Sequence, residues 1–266
     1  MTEFTSAEVS VTMPVENPLL DVVSATAEAA WSYDKLLSSY SGFCIRAHDA
    51  SDKSGSSQDI GFDANGDLDT SALESFAGSG DAWMEPFDQT DGSVITTATP
   101  PKIVASGSTL LDDNGKPAPQ FSGDQRFQMG TTPTGGYTVC IEGDGVAENS
   151  TRRLTTNGTS YQLLELNGDF EFKNTNNDFV SFEDDPTIHQ EVIFTITDPT
   201  GTFRVYSQGV KKIDKAINTN GSWEALSVGN TPNGGNAWSQ VTYCIVFQSE
   251  LAYSDLRAVA LNRGMI

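Results

Sequence analysis

The feature that most limits the fold of this chain is its punctuation after Asp81. Short runs of alternating apolar and polar residues are cut repeatedly by turn formers: Asp113-Asn114-Gly115, Asn167-Gly168, Asp198-Pro199-Thr200-Gly201, Asn220-Gly221 and Asn233-Gly234-Gly235. A period of two sends successive side chains to opposite faces of a strand, and Asn-Gly or Pro-Gly clusters supply the backbone geometry of tight reversals. The pattern predicts strands at 82–84, 102–104, 118–121, 137–142, 161–166, 169–172, 190–197, 202–207, 225–228 and 240–248. Many short strands at this spacing build a sandwich or jelly roll. No period of about 20–50 residues marks a repeat array.

A chain of 266 residues accommodates one large all-β domain of about 200–250 residues with a short extension. Residues 1–20 read as an N-terminal attachment arm and residues 21–266 as one jelly-roll domain, with no Pro/Ser linker after residue 21. Within the arm, residues 8–13 alternate, so Val9, Val11 and Met13 share one face before Pro14 and Pro18 end the run. A lone strand of this kind is suited to joining a neighbour's sheet. The polar, acidic start lacks the basic residues and apolar run of a secretory signal. No stretch approaches the roughly 20 apolar residues of a membrane helix, so membrane insertion is not expected.

Acidic residues outnumber basic ones 36 to 15, a formal charge of −21. Such a polyanion repels nucleic-acid phosphate, which removes DNA and RNA from the expected partners. The three cysteines, Cys44, Cys140 and Cys244, cannot all pair within one chain, and each sits in an apolar run. They read as buried free thiols, without zinc-site spacing.

The front of the chain mixes both periods. Residues 21–40 suggest a helix, with Ala25, Ala29, Leu36 and Leu37 among Trp31 and Tyr33, and Gly42 as its stop. Residues 43–47 and the Ile60/Phe62 pair suggest strands, with a polar loop at 49–58 and a turn at Asn65-Gly66. Residues 70–77 fit a two-turn helix capped by Asp69 or Thr70 and closed by Gly78, and residues 254–261 a final short helix.

The order of these pieces from Ala29 to Gln89, closing on Phe76-Ala77-Gly78-Ser79-Gly80-Asp81-Ala82-Trp83 and Phe87-Asp88-Gln89, resembles the front of the concanavalin A-like jelly-roll domain of α-L-arabinofuranosidases. The same front half recurs in bacteriophage structural proteins. The match continues through Asn114-Gly115-Lys116-Pro117 and Gln120-Phe121-Ser122-Gly123, and resumes from residue 225 to Leu256-Arg257. It implies an all-β, concanavalin A-like jelly-roll β-sandwich with two or three short helices. Two departures from the family bear on activity. The vicinal cysteine pair of its sugar site is absent, and Asn230, in Ser227-Val228-Gly229-Asn230, stands where the resemblance places a general-acid aspartate. An amide cannot protonate a leaving oxygen, and Glu165, a strand residue in a nucleophile-like position, is left without its partner. On this reading the chain is not an enzyme. The partial signature Phe87-Asp88-Gln89-Thr90-Asp91-Gly92 reads as structural, with Asp88 and Gln89 satisfying backbone groups in a turn.

The remaining constellations are sparse. Trp223 and Trp238 flank a Gly/Asn-rich loop, which makes Trp223, Asn230, Asn233, Asn236 and Trp238 the candidate rim of a glycan site. Asp63, Asn65, Asp67, Asp69, Ser71 and Glu74 mimic the spacing of a calcium loop, but Leu68 occupies the position that needs glycine, so no metal is expected. His48, in a polar loop, and His189 show no ligand spacing, and Lys211, Lys212 and Lys215 read as a solvated hairpin. The expectation is a non-enzymatic bacteriophage virion protein on the particle exterior, as capsid decoration, head fibre or tail component, with no cofactor. Its partners would be other virion subunits, further copies of itself in a trimer, and a host surface glycan. The alternatives are an arabinofuranosidase-like glycoside hydrolase and a surface lectin.

Overall fold

The computed structural model describes residues 17–262, apart from 98, 113–114, 123–124, 130–135, 145–151, 157–160, 167–168, 175–178, 184–189, 197–201, 208–209, 217–225 and 230–239. The front half runs α1 (Leu19–Val22), β1 (Ala27–Ser32), β2 (Ile45–His48), β3 (Ser57–Ile60), α2 (Thr70–Ala77), β4 (Ala82–Pro86), β5 (Lys102–Ala105), β6 (Ser108–Thr109) and β7 (Arg126–Gln128). The rest is β8 (Tyr137–Asp144), β9 (Arg152–Thr156), β10 (Tyr161–Leu166), β11 (Asp169–Asn174), β12 (Phe179–Glu183), β13 (Gln190–Ile196), β14 (Thr202–Ser207), β15 (Val210–Ala216), β16 (Leu226–Gly229), β17 (Gln240–Phe247) and α3 (Tyr253–Asn262).

These strands form three antiparallel sheets. Two have six strands, in the orders β1-β17-β8-β13-β14-β15 and β12-β11-β10-β9-β16-β7, and the third has five, in the order β3-β2-β4-β5-β6. One continuous core draws on all three sheets: Trp31 from β1, Ile45 and Met84 from β2 and β4, Phe127 from β7, Val139 and Ile141 from β8, and Val228 from β16. Trp31 and Phe121 both meet Phe127 edge-on at 5.1 Å between ring centres, the T-shaped geometry that aromatic quadrupoles favour. A second cluster joins Ala30, Cys140, Tyr243, Ile245 and Phe247 to Leu19, Leu256 and Val259 of the terminal helices. The chain is therefore the expected all-β sandwich, and Cys44, Cys140 and Cys244 are buried free thiols within it.

The helix expected over residues 21–40 is reduced to the four residues of α1, and Ala27–Ser32 is a strand paired with β17 from Ala27↔Phe247 to Ser32↔Tyr243. Ala29 and Trp31 lie in the main core and Ala30 in the second cluster, so β1 is covered on both faces. A strand buried on both faces loses the polar half of its alternation, and its alanines then imitate a helix. The strand expected at 118–121 is a single bridge, in which Gln120 and Lys102 exchange both backbone bonds at 2.7 and 3.3 Å. Pro117 and Pro119 have no N–H to extend that ladder. Lys211 and Lys212 are exposed on β15, an outermost strand of its sheet, where lysines obstruct edge-to-edge pairing.

Helix α2 has the expected ends. The Asp69 carboxylate accepts from the Ala72 N–H at 3.0 Å, and Gly78 follows with a positive φ of 59°. Gly107, at φ 81°, closes the β5–β6 turn against this end: a Cβ there would sit 2.5 Å from the Gly78 carbonyl oxygen.

Asp88 and Gln89 bind the sheets together. Asp88 Oδ1 accepts from the N–H of Ala30 on β1 at 3.1 Å, and from the Thr90 N–H and hydroxyl at 2.8 and 2.7 Å. The Gln89 amide accepts from the Leu36 N–H at 2.7 Å and donates to the carbonyls of Ser32 and Asp34, both at 3.0 Å. Both residues are buried and directly follow the β4 segment, so this pair joins the five-stranded sheet to the segment that leaves β1. Burial nevertheless holds the Asp88 carboxyl above its ordinary range, against the pull of its donors. Gln89→Leu removes every side-chain bond and leaves a buried N–H without its acceptor. It should lower unfolding stability by roughly 2–5 kcal/mol in urea titrations, the cost of a few orphaned polar groups. A loss within error would show that these bonds are redundant.

Candidate functional site

The sheet β12-β11-β10-β9-β16-β7 has two faces, separable by register. On β7, Phe127 is fully buried while Gln128 is exposed, and Val228 opposite Phe127 is also buried. Following the pairings outward, the positions that share the Phe127 side include Val228, Leu226, Leu154, Leu163, Phe170, Phe172, Val180 and Phe182, together with Glu165 and Arg152. The positions that share the Gln128 side are Ser227, Thr155 and Arg153, then Gln162, Leu164 and Leu166, then Lys173, Glu171 and Asp169, then Phe179, Ser181 and Glu183. The outer face thus mixes hydrogen-bonding positions with Leu164, Leu166 and Phe179, a combination that can meet both the hydroxyls and the C–H faces of a sugar.

Asp169 and Glu183 are direct cross-strand partners on that outer face. Opposed positions on antiparallel strands hold their β-carbons about 4.5–5.5 Å apart, so the two acidic residues are neighbours on that face. Glu165 takes the other face, sharing it with Leu163 and directly opposite Arg152 and Phe170. The nucleophile-like position suggested by the sequence is therefore on the inward side, opposite an arginine position. The outward carboxylate positions had a visible signal, the alternation Asp169-Phe170-Glu171-Phe172-Lys173.

Other expected sites resolve differently. Trp223, Asn230, Asn233, Asn236 and Trp238, the candidate glycan rim, lie outside the described residues, as do the arm residues Val9, Val11 and Met13 and His189. His48 is not in a polar loop: it ends β2, 5% exposed, with Nε2 3.0 Å from Glu85 Oε2. Lys53, in the left-handed region at φ 59°, reaches the same carboxylate at 3.1 Å and the Thr97 carbonyl at 2.8 Å. The Thr97 N–H donates to Glu85 at 3.2 Å, so this buried carboxylate is fully occupied and structural.

The calcium-like run is a turn. Asp63 Oδ1 accepts from the N–H groups of Asn65 and Asp67 at 2.8 and 3.0 Å, and Asp69 caps α2. Among the described residues no group of three or more His, Cys, Asp or Glu is arranged to hold a metal. Asp67 pairs with Asp34 across a backbone bridge, and Lys116 Nζ stands 3.4 Å from Asp34 and 3.8 Å from Asp67. Burial, the hydrogen bond with Asp34 and Asp34's charge raise the Asp67 carboxyl, with Lys116 opposing them.

Neither a protein-family model nor a curated protein sequence matches the chain. Solved structures do. A GH54 α-L-arabinofuranosidase soaked with a cyclic sulfate inhibitor superposes with a TM-score of 0.69 at 14% identity, over 92% of this chain and 63% of the other. A glutamate-to-glutamine variant of such an enzyme, soaked with 4-nitrophenyl α-L-arabinofuranoside, gives 0.71 at 15% identity with the same coverage. An arabinofuranosidase complexed with arabinofuranosyl-α-1,2-xylobiose gives 0.69 at 15% identity. The chain spans 63% of the length of these enzymes, and superposition at identities this low establishes a shared fold alone.

This overturns the reading of the chain as not an enzyme. That reading rested on Asn230 and an unpartnered Glu165, yet the structures matched over nearly the whole chain are glycoside hydrolases, two of them holding substrate-like sugars. Two positions carried over from a distant resemblance do not decide the chemistry of a face that has carboxylate positions of its own.

The raised Asp67 carboxyl has a signed consequence. Its folded-state value exceeds its unfolded one, so the ionised form opposes folding at neutral pH, and the penalty disappears as pH falls to the unfolded value near about 4. Asp67→Asn should therefore melt higher than the native protein at pH 7 and show no such advantage near pH 3.5. Equal melting temperatures at both pH values would contradict the pairing.

Proposed function

We propose that this chain is a carbohydrate-active jelly roll whose outer sheet face takes arabinofuranosyl glycans, and that Asp169 and Glu183 supply the carboxylate pair of a glycoside hydrolase. The observation that carries the proposal is their direct cross-strand pairing on the outer face, in a chain that shares the arabinofuranosidase fold. In that role one carboxyl protonates the leaving oxygen while the other attacks the anomeric carbon or activates water. Gln162, Thr155 and Ser227 line the same face and would orient the sugar hydroxyls. Release of 4-nitrophenol from its α-L-arabinofuranoside tests the proposal. Asp169→Asn and Glu183→Gln should each lower turnover by roughly 10²–10⁴-fold while leaving the melting temperature in place. Absence of turnover in the native protein, or undiminished turnover in both variants, refutes it.

A second reading concerns location. The likeness of the front segment to phage structural proteins and the net charge of −21 favour the exterior of a virion. There the chain would be a trimeric capsid decoration, head fibre or tail part, joined to other virion subunits through residues 1–20 and directing its outer sheet toward host glycans. Antibodies against the protein should label intact particles in electron micrographs, and unlabelled particles would remove this reading.

A further inference from the structure

Three clefts open side by side in the amino-terminal half, and their walls include no residue of the outer sheet face. The first, of about 370 Å³, lies between the Leu37–Gly42 stretch and the turn at Gln89–Gly92. The second, of about 470 Å³, lies between the same stretch and the turn at Phe62–Gly66. The third, of about 500 Å³, lies between Asp63 and Asp67 on one side and Leu111 and Pro117 on the other. The first two share Tyr40, Ser41 and Gly42 as a common wall, and the second and third share Asp63, so neighbouring clefts adjoin along one furrow. Each cleft lies within the range of small-ligand sites, about 300–1,000 Å³.

The middle of the furrow is built rather than incidental. The Tyr40 hydroxyl donates to the Phe43 carbonyl at 2.9 Å, and the ring meets Phe62 edge-on at 6.2 Å. Gly42 permits this pose, because a Cβ there would collide with the phenol oxygen. Burial and nearby acids push the Tyr40 phenol up to about 12, so it stays a neutral hydroxyl. Lys35 lines the same cleft, and its ammonium has no partner among the described residues. The third cleft adds the Thr109 hydroxyl, a buried oxygen without a hydrogen-bond partner, and the half-exposed side chain of Leu111.

This composition selects the occupant. Lys35 and Lys116 are outweighed by Asp63, Asp67, Glu74 and Asp91, so an anionic polymer is repelled. Aromatic walls beside hydroxyls, carboxylates and an amide suit a ligand with apolar C–H faces and many hydroxyls. We infer that the furrow is a second carbohydrate surface, for an extended neutral oligosaccharide of three or more units, separate from the outer sheet.

Calorimetric titration of the full chain with arabinohexaose, xylohexaose and cellohexaose tests this, with hexagalacturonate and octalysine as charged probes. At least one neutral hexasaccharide should bind, and its affinity should fall about tenfold or more in Ser41→Arg, which fills the wall shared by two clefts. Tyr40→Ala should act alike. Should that variant misfold, Asn65→Arg at the exposed rim replaces it. Val210→Ala, exposed on β15 and part of neither surface, should leave this binding unchanged. The inference is overturned if no neutral hexasaccharide binds at about 10 mM, if Ser41→Arg has no effect, if Gln162→Ala on the outer sheet alone abolishes binding, or if a charged probe binds more tightly.

Discussion

The buried amide of Gln89 is the constraint on which the front of this protein depends. One planar group satisfies a backbone N–H and two carbonyls at 2.7–3.0 Å in the stretch that leaves β1, while the preceding Asp88 holds β1 itself. Irregular backbone cannot be buried unless its polar groups find partners, and a side chain with both donor and acceptor ends meets that need without a further strand. The five-stranded sheet can then pack against the sandwich, placing Met84 and Ile45 in the same core as Trp31 and Phe127. The furrow borders this junction, since Gln89 and Gly92 form one of its walls.

Much of the architecture was legible in the residues. The alternation in Tyr161–Leu166, the cap at Asp69 with its stop at Gly78, and the long apolar run of Gln240–Phe247 each carry a local signal that tertiary packing reinforces. What was not legible depended on partners far away in sequence. Ala27–Ser32 mimics a helix because both of its faces are covered, a fact set by β17 and α3 rather than by neighbours in the chain. His48 looks like a loop residue until Glu85 and Lys53 close around it. Asp88 and Gln89 were readable as turn residues, but not that their partners lie more than fifty positions earlier. For the candidate site, the period of two in Asp169–Asn174 was visible, whereas the opposition of Asp169 to Glu183 required the register.

The two surfaces considered for sugars arise from different parts of the same physics. The outer sheet face is set by a regular ladder, so its functional groups come at fixed spacings along and across strands. The furrow owes its shape to turns whose geometry is set by Asp63, Gly42 and Gly66. A ladder gives rigid placement suited to bond making and breaking, while turns can change in length without disturbing the core.

The pairing of β1 with β17 also has a temporal side. On the ribosome, Ala27 must wait for the synthesis of every residue that separates it from Phe247 before the two can meet. At bacterial-to-eukaryotic synthesis rates of about 5–20 residues per second, that delay is roughly ten to forty seconds. Throughout it, Trp31 has no completed sheet to enter, and the clasp between Ser24 and Asp255 at 2.7 Å cannot form. Nascent chains of this protein therefore pass through a long interval in which an apolar strand is open to chaperones or to misassociation.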